Sequence, residues 1–233
     1  TSRTTAAIND TLIEQRLNEK KQNKTRVINL GYCRFGQNLQ YVFLKELLKH
    51  HTPEKVVLEI RQDPDQPAHM HFPYFADGAD LISTHAFFHH NYFGDMATGL
   101  YYRLRNLNST TIDSGYAPLS CGYQGIPFPL PFDTTDIDYQ VKNKEPDENM
   151  WYFLKGVELL KKHQVKIVFL FIPRFGRYQT HPNYIDWYKN YGEVLIPPDS
   201  LCKTPCFWAN IDHVNTDGAT YLSEWLAAQL KGE

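Results

Sequence analysis

Two short segments of this chain hold the residue types that acyl transfer needs. Thr1-Ser2-Arg3 opens the sequence, and Asn210-Ile211-Asp212-His213-Val214-Asn215 stands near its close, with Gly218-Ala219 following. A serine hydroxyl becomes a useful nucleophile when a base takes its proton, and the base works best when a third group fixes its tautomer. Ser2 as nucleophile, His213 as base and either Asn210 or Asp212 as the orienting group make such a set. The fold must then bring the two ends of the chain together.

Other residues invite other chemistry. Cys33 precedes Arg34, and a thiol near a cation has a lowered pKa, so Cys33, His213 and Asn210 form an alternative Cys-His-Asn set that does not need Ser2. The same cysteine equally serves as a small buried hydrophobe beside a sheet. His69 and His71 alternate, and His85, His89 and His90 include an i, i+4 pair. A metalloprotease helix carries Glu after its first His, whereas this chain has Ala86. The reading is therefore of hydrogen-bonded surface or pocket histidines, with no metal and no cofactor. Cys202 and Cys206, spaced Cys-Lys-Thr-Pro-Cys, fit a small disulfide or two reduced thiols, and no second cysteine pair completes a zinc site.

The elements that position these groups follow from periodicity. Ile8, Leu12, Ile13 and Leu17 give residues 6–20 near-helical spacing. Residues 26–31 (Arg-Val-Ile-Asn-Leu-Gly) read as a short buried strand ending in a glycine turn. Leu39, Val42, Phe43, Leu47 and Leu48 predict a helix over 38–49 with Asn38 as N-cap, and residues 55–60 (Lys-Val-Val-Leu-Glu-Ile) predict a second strand after Pro53. Strand, helix, strand is a βαβ unit and suits a parallel sheet. Met150, Phe153, Leu154, Val157 and Leu160 mark a helix that leads into the most apolar strand, 166–173. A short strand over 194–196 and a final helix over 218–230 complete the pattern. Between them, residues 64–148 form a long insertion rich in Pro, Gly, His and aromatics. Periodicity survives there only in patches such as 81–93 and 96–107, and 108–146 reads as a long loop. The whole is one α/β domain over 1–233. Phe72, Tyr74, Phe75, Phe87, Phe88, Tyr92, Tyr101, Tyr102 and Tyr123 are dense enough to line a groove for sugar rings, or to pack a small core within the insertion.

Bulk properties remove several functions. The 233 residues are 42% hydrophobic and carry 15 Tyr and 14 Phe, enough for a substantial core. A formal charge of -2 leaves no basic footprint, so binding of nucleic acid through phosphate neutralisation is excluded. No apolar run reaches the roughly 18–20 residues that a spanning helix needs.

The order of motifs resembles the SGNH/GDSL hydrolase superfamily, in particular divergent bacterial members that open with Gly-(Ser/Thr)-Ser-Arg. Thr1-Ser2-Arg3 matches that first block without its glycine, and a β-strand ending in Gly immediately upstream of Thr1 would complete it. Asn29-Leu30-Gly31 through Gly36-Gln37-Asn38-Leu39 is similar to the second block, Val56-Val57-Leu58-Glu59-Ile60 to the third block's strand, and His213-Val214-Asn215 with Gly218-Ala219 to the fifth. Three departures stand out. Asn210 occupies the place where the family usually has an Asp three residues before the histidine, Arg61 or Gln62 stands where the third block usually has an Asn, and the first strand and its glycine are missing.

The resemblance implies a three-layer α/β/α fold with a mostly parallel, flavodoxin-like sheet. It implies a serine esterase or O-acyltransferase acting on an O-acylated small molecule or glycan, with Ser2, His213 and Asn210 or Asp212 as the catalytic set. The oxyanion hole would draw on Ser2, Gly31, Gly36, Arg61 and Gln62. Members of this type often sit in the cell envelope behind an N-terminal anchor, so envelope or periplasm is expected before cytoplasm. Two alternatives stay open: a non-catalytic SGNH-like binding or scaffolding domain, with Asn210 the mark of lost chemistry, and a hydrolase that depends on Cys33.

Overall fold

The structure, a computed structural model, describes residues 1–19, 22, 24–32, 36–61, 69, 71–82, 93–94, 97, 100–101, 104, 123–127, 150–175 and 184–231. The chain begins with helix α1 (Ser2–Ala7), capped by Thr1, whose hydroxyl accepts the Arg3 and Thr4 N–H groups. Asn9 then starts α2 (Asp10–Asn18) by accepting the Leu12 N–H at 3.0 Å. The single helical run predicted over 6–20 is thus two helices. Asn favours a cap over a helix interior because its side chain competes for backbone N–H groups.

Residues 24–32 form neither helix nor strand and join no sheet among the described residues. Asn29 captures the backbone instead: its amide donates to the Thr4 carbonyl at 3.0 Å and the Ile8 carbonyl at 2.7 Å, while its oxygen accepts the Gly31 N–H at 2.8 Å. The strand predicted over 26–31 is therefore a strap laced to the end of α1, with Ile28 and Leu30 exposed. Helix α3 (Gln37–His50) starts at Gly36, not at Asn38. Asn38 is buried in the first turn, where its oxygen accepts the Leu39 and His69 N–H groups.

Strand β1 (Lys55–Ile60) follows. Two single-turn helices, α4 (Phe72–Phe75) and α5 (Gly78–Leu81), open the insertion, and the backbone is helical again at Phe93, Gly94, Ala97, Leu100, Tyr101 and Leu104. Helix α6 (Trp151–Lys162) leads into β2 (Lys166–Phe171), and α7 (Ile185–Lys189) into β3 (Glu193–Leu195). Helix α8 (Asp199–Lys203), a 3₁₀ turn (Pro205–Phe207) and the long α9 (Thr216–Lys231) end the order.

Among the described residues the architecture is mixed α/β around a three-stranded, all-parallel sheet in the order β1-β2-β3. Lys55 stands opposite Lys166 and Ile60 opposite Phe171; Val168 stands opposite Glu193 and Leu170 opposite Leu195. Successive side chains of the central strand leave opposite faces. Val168, Leu170 and Ile172 pack with Ile13 and Leu17 of α2 and with Leu222 and Leu226 of α9. Ile167, Phe169 and Phe171 pack with Leu44 and Leu48 of α3 and with Phe153, Val157 and Leu160 of α6. A strand buried on both faces reads as an unbroken apolar run, which explains the composition of 166–173.

Phe72 and Ala76 form a smaller core with Val42, flanked by Tyr41, Phe75 and Tyr152. Two of the aromatics read as groove lining are thus spent on packing. Cys202 and Cys206 are both free thiols; Cys202 is buried, which pushes it up to about 11, and Cys206 is exposed. No helix among the described residues is long and apolar enough to cross a membrane.

Candidate functional site

Three features converge at the carboxyl end of the sheet. The first turn of α1 supplies Ser2. It is tied to β1 by Glu59, whose buried carboxylate accepts hydrogen bonds from the Thr1 and Thr4 hydroxyls on either side of the serine. The exit of β2 supplies the Ile172 carbonyl and Arg174. The loop before α9 supplies Asn210, Asp212 and His213.

That loop is closed at its base. Trp208 and Val214 form an antiparallel bridge, the His213 carbonyl accepts the Ala209 and Asn210 N–H groups at 2.9 and 3.2 Å, and Asn215 N–H donates to the Phe207 carbonyl at 2.9 Å. Asn215 also caps α9, its side-chain oxygen accepting the Asp217 and Gly218 N–H groups. Capping the helix is therefore the work of Asn215, and His213 is left for other use. The next glycine is sterically required, since a Cβ on Gly218 would lie 2.2 Å from the Phe207 carbonyl oxygen.

His213 Nε2 lies 3.0 Å from Ser2 Oγ, and His213 Nδ1 lies 3.1 Å from Asn210 Oδ1. The same Asn210 oxygen accepts the backbone N–H groups of Asp212 and His213, both at 2.9 Å. Two obligate donors identify this atom as the amide oxygen. An acceptor facing Nδ1 requires Nδ1 to carry the proton, so Nε2 presents its lone pair to the Ser2 hydroxyl. This is the tautomer a general base needs. Burial lowers the His213 pKa below the ordinary imidazole value; Arg3 and Arg61 push the same way, while Asp212 and Glu59 oppose it. The ring is accordingly neutral, and ready to accept a proton, near pH 7.

Asp212 does not orient the imidazole, contrary to one of the two sequence expectations. Its Oδ1 accepts Arg3 Nη2 at 2.9 Å and Arg174 Nε at 2.6 Å. Neighbouring side chains diverge, and here Asp212 turns to the arginines while His213 turns to Ser2. Burial would raise the Asp212 pKa, but Arg174 and Arg3 hold it below its usual range.

Among the oxyanion candidates, Gly31 is ruled out as a donor because its N–H is committed to Asn29. Its lack of a side chain serves contact instead, since a Cβ would lie 2.8 Å from the Thr5 nitrogen. Gly36 lies against His69, whose backbone nitrogen would be 2.6 Å from an added Cβ. The Ser2 and Gly36 N–H groups take no acceptor among the described residues. Arg61, just past β1, donates through Nε to Glu59 at 3.1 Å. Cys33 and Gln62 lie outside the described residues, as do His85, His89 and His90. His69 and His71 are hydrogen-bonded: His71 N–H donates to His69 Nδ1 at 3.0 Å, and His71 Nδ1 pairs with the Tyr32 hydroxyl at 3.1 Å. No group of three or more potential metal ligands occurs among the described residues.

Arg3, Arg174 and Glu59 are site residues that spacing alone did not single out. Arg3 was within the quoted motif, but nothing in a sequence says that an arginine beside a serine will be buried. A charged residue inside the apolar run of β1 was the readable signal for Glu59, because a buried carboxylate demands partners.

Set against protein-family models, curated proteins and solved structures, the chain matches none, so its function rests on its own geometry.

Proposed function

We propose that the chain is a serine ester hydrolase or O-acyltransferase of the SGNH type, acting on an O-acylated small molecule or glycan. The observation that carries this reading is the run Ser2 Oγ–His213 Nε2–Nδ1–Asn210 Oδ1, with contacts of 3.0 and 3.1 Å and a tautomer fixed by backbone donors. In the proposed reaction Ser2 Oγ attacks the ester carbonyl as its proton passes to His213 Nε2. The negative charge on the tetrahedral intermediate is taken by the Ser2 and Gly36 N–H groups and the Arg61 guanidinium. Collapse expels the alcohol, protonated by His213, and leaves an acyl group on Ser2. Water, or the hydroxyl of an acceptor, then repeats the sequence in reverse. The fold proposed to carry this chemistry is a three-layer α/β/α sandwich with a flavodoxin-like sheet. It is supported by the two faces of β2, each packed with different helices.

The experiment is hydrolysis of 4-nitrophenyl acetate together with labelling by a fluorophosphonate, which reports an activated serine whatever the natural substrate. Both are expected with the wild-type chain and neither with Ser2→Ala. Labelling retained by Ser2→Ala would overturn the assignment. The neutral Asn210 favours a second reading, a binding domain of the same fold without chemistry. In that case the wild-type chain would neither turn over nor label while still binding an acylated glycan.

A further inference from the structure

The following rests on the acyl-transfer reading of Ser2 and His213. Those two residues meet at 3.0 Å, and the adjoining residues Arg3 and Asp212 meet at 2.9 Å. The two contacts are neighbouring rungs between the same two segments. Arg3 reaches a third element as well, for its Nη1 donates to the Ile172 carbonyl at 3.1 Å, just past β2. Arg174, from the same exit, holds Asp212 at 2.6 Å. Helix α1, the histidine loop and the end of the central strand are thus joined through one buried guanidinium.

Arg3 is only 5% exposed. Taking a guanidinium out of water is costly, and an apolar side chain would fill the same space more favourably. The geometry gives the charge a use. Glu59 and Asn29 already tie α1 to β1 and to the strap through Thr1 and Thr4. Arg3 adds what those ties lack, a rung to the histidine loop beside the Ser–His contact and a point at the end of β2. Displacement of a reacting group by about 1 Å can cost ~10²-fold in rate.

We propose that Arg3 is a positioning residue that acts through Asp212 and the Ile172 carbonyl to hold the nucleophile's helix at proton-transfer distance from its base. Arg3 touches neither substrate nor the moving proton. The fork of the guanidinium spans two acceptors in different directions, which a single ammonium does not reproduce. Arg3→Lys is therefore an intermediate state between wild type and Arg3→Gln.

The test compares Arg3→Gln, Arg3→Lys, Asp212→Asn and the Arg3→Gln/Asp212→Asn double variant in 4-nitrophenyl acetate kinetics and in the rate of fluorophosphonate labelling. Asp212 is on a half-exposed loop, so Asp212→Asn remains informative where a buried Arg3 variant fails to fold. Each single change is expected to lower kcat by roughly 10- to 100-fold with little change in KM. The double variant should be no worse than the poorer single one, because both break the same rung. The acid limb of the pH profile adds a readout that a merely structural brace would not move. The charged groups acting on His213 are Arg3 from α1, Asp212 from its own loop, and Glu59 and Arg61 from β1 and its end. Removing Asp212's charge should move the limb to lower pH, and removing Arg3's charge should move it to higher pH. If Ser2→Ala abolishes labelling while Arg3→Gln and Asp212→Asn stay within about twofold of wild type and leave the limb in place, the positioning role is wrong and the acyl-transfer reading stands. If Ser2→Ala labels like wild type, both fall.

Discussion

Two rows of side chains run side by side through this site, and they are built from opposite materials. Ser2, His213 and Asn210 form a neutral row joined by hydrogen bonds of 3.0 and 3.1 Å. Arg3, Asp212 and Arg174 form a charged row joined by ion pairs of 2.9 and 2.6 Å. Ser2 and Arg3, and His213 and Asp212, are adjacent residues of the same two segments, yet no contact in the first row involves a full charge and every contact in the second does. The division has a physical logic. In the proposed reaction the neutral row is the one that passes a proton, from Ser2 to an uncharged imidazole. Fixed geometry favours the stronger, charge-assisted bonds, so the row that only holds is ionic. At His213 Nδ1, where a Ser-His-Asp triad has a carboxylate, stands the Asn210 amide oxygen, while Asp212 is paired with Arg3 and Arg174.

The contrast can be broken from its neutral side first. Ser2→Ala should remove at least ~10³-fold of 4-nitrophenyl acetate turnover, because the hydroxyl that His213 would activate is gone. Asn210→Ala comes next. It releases the imidazole tautomer and strands two backbone N–H groups, so kcat should fall ~10²-fold, with a stability loss of about 1–3 kcal/mol visible in denaturant midpoints. Ranking third, the Arg3 and Asp212 variants described above attack the ionic row.

Asn210→Asp sharpens the contrast instead of breaking it. The new carboxylate keeps all three acceptor contacts and adds charge where the imidazolium forms. We expect kcat to rise by a few-fold, up to ~10-fold, and the acid limb to move to higher pH. An unchanged pH profile would show that the Nδ1 contact carries no electrostatic influence.

The smallest effect separates the rows by pH alone. His213 is held below its ordinary value by burial, so kcat/KM should fall on the acid side with an apparent pKa under ~6.5. Asp212 is held below its usual range by Arg174 and Arg3 against the opposing effect of burial. A depressed carboxylate pKa contributes stability that is complete above the unfolded value of ~3.9 and fades as pH falls through the folded one. The stability difference between wild type and Asp212→Asn should accordingly be flat near neutrality and shrink below about pH 4. Activity and the ionic row thus titrate in different windows, and equilibrium unfolding alongside initial rates will resolve them.

Much of the scaffold was legible because burial imposes a period. Strands 55–60 and 166–171 announced themselves through their β-rich apolar runs, the first interrupted only by Glu59, and α3, α6 and α9 through their spaced apolar residues. Residues 26–31 misled because Val27 and Ile28 suit a strand, whereas Asn29 diverts the backbone by bonding to Thr4, Ile8 and Gly31. Ser2 and His213 were legible as types in an order, and their 3.0 Å meeting depends on packing that no local pattern encodes. Asn210 looked like a weakened carboxylate. Its second task, accepting two backbone N–H groups within the loop, is an Asx turn that either Asn or Asp performs. Arg3 was hidden because its burial follows from contacts with Ile172 and Asp212, both remote in sequence.

The loop that carries His213 has a bearing on how turnover would be paced. The histidine's own carbonyl is gripped by two N–H groups, and the residues on either side of the loop are bridged at Trp208 and Val214. Peptide rotation there would break several bonds at once. In the proposed reaction the imidazole would therefore swing from nucleophile to leaving group by turning about its side-chain bonds, a movement of nanoseconds and not the microseconds to milliseconds of a loop. In the proposed reaction a base mounted in this way adds no slow conformational step of its own, so solvent viscosity should act only through substrate arrival and product release.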